Sequence, residues 1–400
     1  MMLQGKRIVL GVTGSIAAYK AADLASKLTQ AGAHVDVILT KEASQFITPL
    51  TFRSLTHLPV IVDLFDPNSP LAVEHVALAE HADIVVVAPA TANVIAKMAN
   101  GLADDALTCT LLATAAPVLI APAMDGNMFK NPAVVGNLAK LKEAGVVQVG
   151  PATGRLASGL TGMGRMSEVV EIVGMIQYAV GRSGDLAGRK IVVSAGGTQE
   201  PIDPVRVITN RSSGKMGYAI AEAARDRGAN VVLVTAAGLP NPPAIESRHV
   251  ETVAEMREAV LSSCIGADAV VMAAAVSDFR PSGVADHKIK KGPHGDGLIL
   301  DLVKNADFFI EVPKGVLRVG FAAESEHLIE NAKAKRKNKD LDIIVANDVT
   351  EPGAGFSVDT NHVVILDRHG AVDDYPMMLK TDVASCILDR VAKELASRRA

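Results

Sequence analysis

Short unbroken apolar runs alternate along this chain with segments whose apolar positions recur every three or four residues. Arg7-Ile-Val-Leu-Gly11, Ala82-Asp-Ile-Val-Val-Val-Ala-Pro89, Lys190-Ile-Val-Val-Ser194 and Ala267-Asp-Ala-Val-Val-Met-Ala-Ala274 are of the first kind. A strand with one wet face alternates apolar and polar residues; a continuous run marks a strand covered on both faces. Strands of that type joined by helical-period segments are βαβ units, with helices on both sides of a parallel sheet. The crossovers of such units are right-handed. The pattern predicts an α/β chain of two doubly wound, Rossmann-like three-layer domains.

The two-domain reading rests on a weak internal repeat. In the first half a strand leads through Val12-Thr-Gly-Ser15 into an amphipathic helix and then Gly32-Ala-His-Val-Asp-Val-Ile-Leu-Thr40. In the second half the strand at 190 leads through Ala195-Gly-Gly-Thr198 and a longer loop to a helix, then Gly228-Ala-Asn-Val-Val-Leu-Val-Thr235. Between the halves, Gly181-Arg-Ser-Gly-Asp-Leu-Ala-Gly188 has three glycines in eight residues, the composition of a linker. We therefore expect domains over 1–181 and 190–400 joined by a linker over 182–189. Gly150 to Arg165, with five glycines and two arginines, reads as a mobile functional loop ahead of a helix over Ser167–Val180.

Composition narrows the function classes. At 400 residues and 49% apolar content, two substantial cores are easily filled. A net charge of −4, with no Trp, argues against a nucleic-acid or anionic-membrane partner, which needs a basic face. Cys109, Cys264 and Cys386 are odd in number and far apart, as in a reduced cytoplasmic protein, with neither a disulfide framework nor a zinc site. The start resembles a signal peptide only until Lys20 and Asp23 interrupt it, and the uncharged run 106–124 is broken by Pro117 and Pro122 into a helix and a buried strand. A soluble protein without a membrane partner is expected.

Each glycine turn between first strand and first helix offers backbone amides to a phosphate, though glycine there also serves steric needs alone. Neither turn is GxGxxG, and the second strands end in Thr40 and Thr235 where a dinucleotide site wants a ribose-binding acid. A nicotinamide oxidoreductase is disfavoured, and a mononucleotide suits the first half. His75 by itself reads more readily as structural than catalytic.

Several segments of the first half resemble the flavin-containing cysteine decarboxylases. They are Gly11-Val-Thr-Gly-Ser-Ile16, the stretch from His75 to Asp83, Ala88-Pro-Ala-Thr-Ala-Asn93, Ala121-Pro-Ala-Met-Asp125 and Leu156 to Met166. The resemblance implies FMN held by Gly14, Ser15, Thr40, Thr91 and Asn93, with His75 as the catalytic histidine. The second half resembles the phosphopantothenate–cysteine ligases. The carriers are Ser194-Ala-Gly-Gly-Thr-Gln-Glu-Pro-Ile-Asp-Pro-Val-Arg206, Asn210-Arg-Ser-Ser-Gly-Lys-Met-Gly217, Ala273 to Asp278, Lys288-Ile-Lys-Lys291, Gly320-Phe-Ala-Ala-Glu324 and Ile343 to Asn347. In order over nearly the whole chain, these blocks resemble the bifunctional bacterial fusion of coenzyme A biosynthesis.

That resemblance implies small-molecule substrates: 4′-phosphopantothenate, cysteine and CTP, the last with Mg²⁺, whose ligands stay unassigned. Activating a carboxylate at the α-phosphate needs cations that neutralise developing charge. Lys288, in a glycine- and proline-flanked loop with Lys290 and Lys291, takes the catalytic position, and Asn210 the position that binds the acyl-cytidylate by donating from its amide. Asp278, Asn305, Ala306, Asp307, Phe308, Phe321, Lys335 and Lys339 match CTP-contacting positions. A homo-oligomer is implied, trimeric through the flavin domains and dimeric through the ligase domains.

Two positions depart from the decarboxylase pattern. Ser158 stands where the family has its cysteine proton donor, and a hydroxyl is a far weaker acid than a thiol, whose pKa is about 8.5. Asp125 replaces the asparagine that meets the substrate carboxylate; two carboxylates about 4 Å apart repel by roughly 1–4 kcal/mol. Three outcomes stay open: a protonated Asp125 serves as donor, the half stops at an oxidised ene-thiol, or it serves only as a flavin-binding oligomerisation module beside the ligase.

Overall fold

Two separate parallel sheets organise the chain in a computed structural model that describes residues 3–65, 74–157, 159–290, 298–324, 326–348, 350–355 and 357–398. The chain divides into compact units at Met1–Gly181 and Arg182–Ala400.

The first unit opens with β1 (Arg7–Val12), α1 (Ala18–Gln30), β2 (His34–Leu39), α2 (Pro49–Thr56) and β3 (Val60–Ile61). It continues through α3 (Glu74–His81), β4 (Ile84–Ala90), α4 (Ala92–Asn100), α5 (Ala106–Ala113) and β5 (Val118–Pro122). Then come α6 (Gly126–Lys130), α7 (Pro132–Glu143), β6 (Val147–Gln148), β7 (Ala152–Arg155), β8 (Thr161–Arg165) and α8 (Val169–Gly181). The strand order is β3-β2-β1-β4-β5-β6, all parallel. Every residue of β4 is buried, which its unbroken apolar run requires of a central strand. On α1 the residues Ala21, Leu24, Ala25 and Leu28 face the core at helical spacing. Two apolar clusters, one on each sheet face, complete the three layers.

The second unit runs β9 (Lys190–Ala195), β10 (Gln199–Pro201), β11 (Val207–Thr209), α9 (Lys215–Asp226), β12 (Asn230–Thr235) and β13 (Glu246–His249). Next are α10 (Val253–Ser263), β14 (Ala269–Met272), β15 (Phe279–Pro281), β16 (Leu302–Lys304), β17 (Leu317–Glu324) and α11 (Leu328–Asn338). It closes with β18 (Ile343–Asp348), β19 (Thr360–Asp367), β20 (Val372–Leu379) and α12 (Lys380–Ser397). Its sheet order is β13-β12-β9-β14-β17-β18-β19-β20. The first six strands are parallel, but β19 and β20 run antiparallel to their neighbours, so the sheet is mixed at one edge.

Two local expectations change. The stretch 182–189 is not a free linker throughout: Leu186 is buried in the second core, Leu186 N donates to Arg227 O at 3.0 Å, and Asp185 pairs with Arg227. The glycine-rich run 150–165 is not an open loop either, because β7 and β8 pair antiparallel from Ala152↔Arg165 to Arg155↔Thr161. Backbone pairing needs no side chains, so glycine does not prevent it. Among the described residues no helix is long and apolar enough to cross a membrane.

Candidate active sites

In an open parallel sheet, ligands bind beyond the carboxyl ends of the strands where the order reverses. In the first unit that point lies between β1 and β4. A cavity of about 300 Å³ opens there, within the range of small-molecule sites. The turn after β1 contributes Thr13, Gly14 and Ser15, the end of β2 Thr40 and Glu42, and the β4–α4 junction Thr91 to Val94. Ala123 and Met124 close it after β5. All five residues expected to hold FMN thus share one cavity.

The wall is internally braced. Thr13 Oγ1 donates to Pro89 O at 2.7 Å and accepts from Thr91 N at 3.1 Å, locking the two strand ends together. Thr91 caps α4 by accepting from Val94 N, and Ala92 and Asn93 form that helix's first turn on the cavity wall. The positive end of the helix dipole therefore faces the cavity, which suits an anionic or electron-rich group. Gly14 is a cradle a side chain would fill: a Cβ there would lie 2.5 Å from Glu42 Cβ. Polar hydroxyls, an asparagine amide and a helix N-terminus around this space fit a flavin mononucleotide.

Asp125 sits at the start of α6, where its Oδ1 accepts from Asn127 N at 2.9 Å. An asparagine oxygen fills that capping role equally well, so the fold does not require the exchange. The β7–β8 hairpin lies against the same corner, with Met124 N donating to Gly164 O at 3.0 Å. Gly164 has φ +145°, and a Cβ on it would stand 2.3 Å from Met124 O. A Gly164→Ala chain is expected to lift the hairpin and slow decarboxylation by roughly tenfold or more. Ligase turnover should be unchanged; CO₂ and pyrophosphate release measured side by side check this. Ser158 lies outside the described residues. His75, half-buried in the first turn of α3, is not among the residues lining the cavity.

The second unit reverses strand order between β9 and β14. There the Gly196–Thr198 turn and the 275–277 segment zip together: Ala275 N donates to Gly196 O at 2.8 Å and Ser277 N to Thr198 Oγ1 at 2.9 Å. Asn210 joins them, its Nδ2 shared between Ala275 O and Val276 O, each at 3.2 Å. Donation to a ligand, as expected for this residue, means leaving at least one of these carbonyls.

Asn305 N donates to Asp278 O at 2.8 Å, and Asn305 Nδ2 to Ser277 O at 2.9 Å, which sets the following Ala306 and Asp307. Asp307 pairs with Lys339 at 2.7 Å. Lys335 in the last turn of α11 lies half-buried in the same neighbourhood. Burial, then the Lys339 charge, push its pKa below the usual lysine range against the opposing pull of Glu324, Asp278 and Asp307. The acidic and basic positions expected around CTP are thus brought together, with Glu324 added. Phe321 is half-buried within β17, but Phe308 is 2% exposed in the core, so any contact it makes with a nucleotide runs through its backbone. Lys288 is exposed on the loop after β15; Lys291 lies outside the described residues. No cluster of three or more His, Cys, Asp or Glu able to hold a metal occurs among the described residues.

Glu42, Lys97 and Asp105 were not expected in the flavin-side cavity. Lys97 pairs with Asp104 at 2.6 Å and Asp105 at 3.1 Å. Lys97 is four residues after Asn93, the spacing that puts two residues on one helix face, and that was the available signal.

Residues 1–181 match the Flavoprotein family, and 186–395 match the family described as DNA/pantothenate metabolism flavoprotein C-terminal domain. The chain is 46% identical to the coenzyme A biosynthesis bifunctional protein CoaBC of Bacillus subtilis (strain 168), over 98% of each chain. Among solved structures it is similar to the C-terminal domain of a coenzyme A biosynthesis bifunctional protein CoaBC, at 36% identity and TM-score 0.46, covering 54% of this chain and all of that one. It is also similar to the FMN-dependent cysteine decarboxylase SpaF, at 30% identity and TM-score 0.39, covering 45% of this chain and 97% of that one.

Proposed function

The chain belongs to the family of coenzyme A biosynthesis bifunctional proteins, and from that premise we propose that it joins 4′-phosphopantothenate to cysteine and then decarboxylates the product to 4′-phosphopantetheine. The observation that carries the flavin-dependent half is the cavity at the β1/β4 switch point, lined by Gly14, Ser15, Thr40, Thr91 and Asn93. These residues would hold FMN, with the α4 N-terminus offering its first-turn amides to the electron-rich part. FMN, when bound, supplies the reversible oxidation that lets the cysteinyl carboxylate leave as CO₂. His75 and Asp125 act on the substrate, with Ser158 at the position that returns the last proton.

In the ligase half, CTP with Mg²⁺ would meet Asp278, Asn305, Ala306, Asp307, Phe308, Phe321, Lys335 and Lys339. Lys288 would neutralise charge as the phosphopantothenate carboxylate attacks the α-phosphate and pyrophosphate leaves. Asn210 holds the acyl-cytidylate while the cysteine amine displaces CMP. Positioned cations suit this step because the charge they stabilise grows only in the transition state. Subunits would associate through both halves of a cytoplasmic homo-oligomer.

A mass-resolved product assay with 4′-phosphopantothenate, cysteine, CTP and Mg²⁺ tests the reading. Pyrophosphate release with complete conversion to 4′-phosphopantetheine is expected. Product halted two hydrogens short would mean that the Ser158 position fails to deliver the final proton. Accumulated 4′-phosphopantothenoylcysteine would leave the ligase alone, and absence of pyrophosphate would overturn the reading.

A further inference from the structure

We propose that Asp203, together with Arg206, is a positioning residue for the ligase reaction, gripping the backbone of Ile289 and so fixing the neighbouring Lys288. The proposal rests on the reading that Lys288 serves nucleotide activation. It starts from a buried carboxylate: Asp203 is 2% exposed, in a turn with no obvious need for a charge. An ionised group inside a protein persists only where its oxygens are fully engaged.

One oxygen is engaged locally. Asp203 Oδ1 accepts from Val205 N at 2.8 Å and Arg206 N at 2.9 Å. This is the turn that Asp-Pro-Val-Arg encodes, with an acceptor side chain first and Pro204 second. Asparagine would serve that half equally well.

The other oxygen explains the carboxylate. Asp203 Oδ2 accepts from Ile289 N at 3.1 Å, a residue 86 positions away in sequence. Arg206 Nη2 donates to Ile289 O at 3.0 Å, and Arg206 Nη1 lies 3.4 Å from Asp203 Oδ2. Both backbone groups of Ile289, the residue between Lys288 and Lys290, are therefore held by one turn. A further bond from Ala285 N to Ile202 O at 3.0 Å anchors the start of the same loop. Burial alone would raise the Asp203 carboxyl, but the three backbone donors and Arg206 hold it below the usual carboxylate range, so it stays ionised at neutral pH. Lys288, whose side chain is exposed, inherits a fixed Cα from this clamp. Ordering before the reaction is what converts a mobile cation into a transition-state contact.

The test uses the full chain carrying Asp203→Asn. That change keeps Oδ1 for the turn and turns Oδ2 into a donor facing Ile289 N–H. We expect kcat for pyrophosphate release to fall roughly thirtyfold to a hundredfold, with KM for CTP within about threefold. In a Lys288→Gln background the same change should alter the residual rate by less than about threefold, because residues acting as one unit are not additive. Equal losses in both backgrounds would make Asp203 a fold residue only and overturn the proposal, as would an unchanged kcat in the otherwise native chain. A Lys288→Gln chain with the native rate would instead overturn the reading of Lys288, and the proposal with it. Should Asp203→Asn fail to fold, Arg206→Lys releases Ile289 O alone. It should lower kcat about fivefold and speed amide exchange at Ile289; native values of both would overturn the proposal.

Discussion

A Gly14→Ala chain is expected to purify colourless and accumulate 4′-phosphopantothenoylcysteine while condensing 4′-phosphopantothenate with cysteine at the native rate. The added Cβ would lie 2.5 Å from Glu42 Cβ and 3.2 and 3.4 Å from the Glu42 backbone C and Cα. Carbon pairs settle at about 3.5–4.0 Å, so the two loops must part by roughly 1 Å. Glu42 cannot avoid this by rotating, because its backbone is part of the obstruction. Overpacking of this kind costs about 1–3 kcal/mol, less than a domain's usual reserve of stability, so the unit should still fold. Binding suffers more, since Gly14, Ser15, Thr40 and Glu42 all line the cavity and both loops move. Flavin absorbance of the purified chain, with pyrophosphate and CO₂ assays, checks the outcome. Gly136→Ala on α7, where a Cβ meets nothing within 4 Å, should stay yellow. A yellow, fully decarboxylating Gly14→Ala chain would remove the β1–α1 turn from the flavin site.

Much of the fold was legible because strands such as β4 and β9 are covered on both faces and read as unbroken apolar runs. The edge was harder. β20 alternates half-buried and exposed residues over part of its length and contains Pro376, which an edge strand tolerates because one row of its backbone donors has no partner strand to serve. That pattern does not announce an antiparallel addition to a parallel sheet. The β7–β8 hairpin was hidden for the opposite reason, since Gly154 and Gly162 pair through backbone alone and Gly164 sits at a bulge between paired positions.

The candidate sites divide in the same way. Gly14 and Ser15, or Thr91 and Asn93, lie close in sequence, so the motifs that carry the family resemblance name each pair together, and one turn or helix start brings each pair to the cavity. Glu42 and Asp105 reach the same cavity from different elements, and Asp203 owes half of its role to a residue 86 positions away. Local spacing carries no trace of such meetings. Lys335 and Lys339 were named by resemblance alone; the part-burial of Lys335 and the facing carboxylates give them a physical setting that the sequence did not.

Lys335→Met is expected to raise the KM for CTP about tenfold to a hundredfold at pH 7, and also to raise the melting temperature of the ligand-free chain. The two effects share one cause. Burial first, then the Lys339 charge, make the ammonium of Lys335 costly in the free protein and lower its pKa from the ordinary value of 10.5. A cation whose folded pKa is depressed weakens the fold while it is charged; the penalty starts to fall as pH rises through that lowered value and is gone above the unfolded pKa. A neutral methionine of similar length removes the penalty at neutral pH. A polyphosphate beside Lys335 does the reverse: it favours the charged form and raises the pKa again. Affinity for CTP should therefore fall as pH rises through the free protein's Lys335 pKa, by up to about tenfold per pH unit, until the bound form's pKa is reached. The loss on substitution reflects a charge-assisted hydrogen bond, about 1.5–3 kcal/mol. Calorimetric CTP binding from pH 7 to 10 separates the cases. The native chain should show the decline and Lys335→Met should show a flatter profile. Identical profiles would place the nucleotide's phosphates away from the end of α11, and a lowered melting temperature would mean that the ammonium stabilises the fold through Glu324, Asp278 and Asp307 after all.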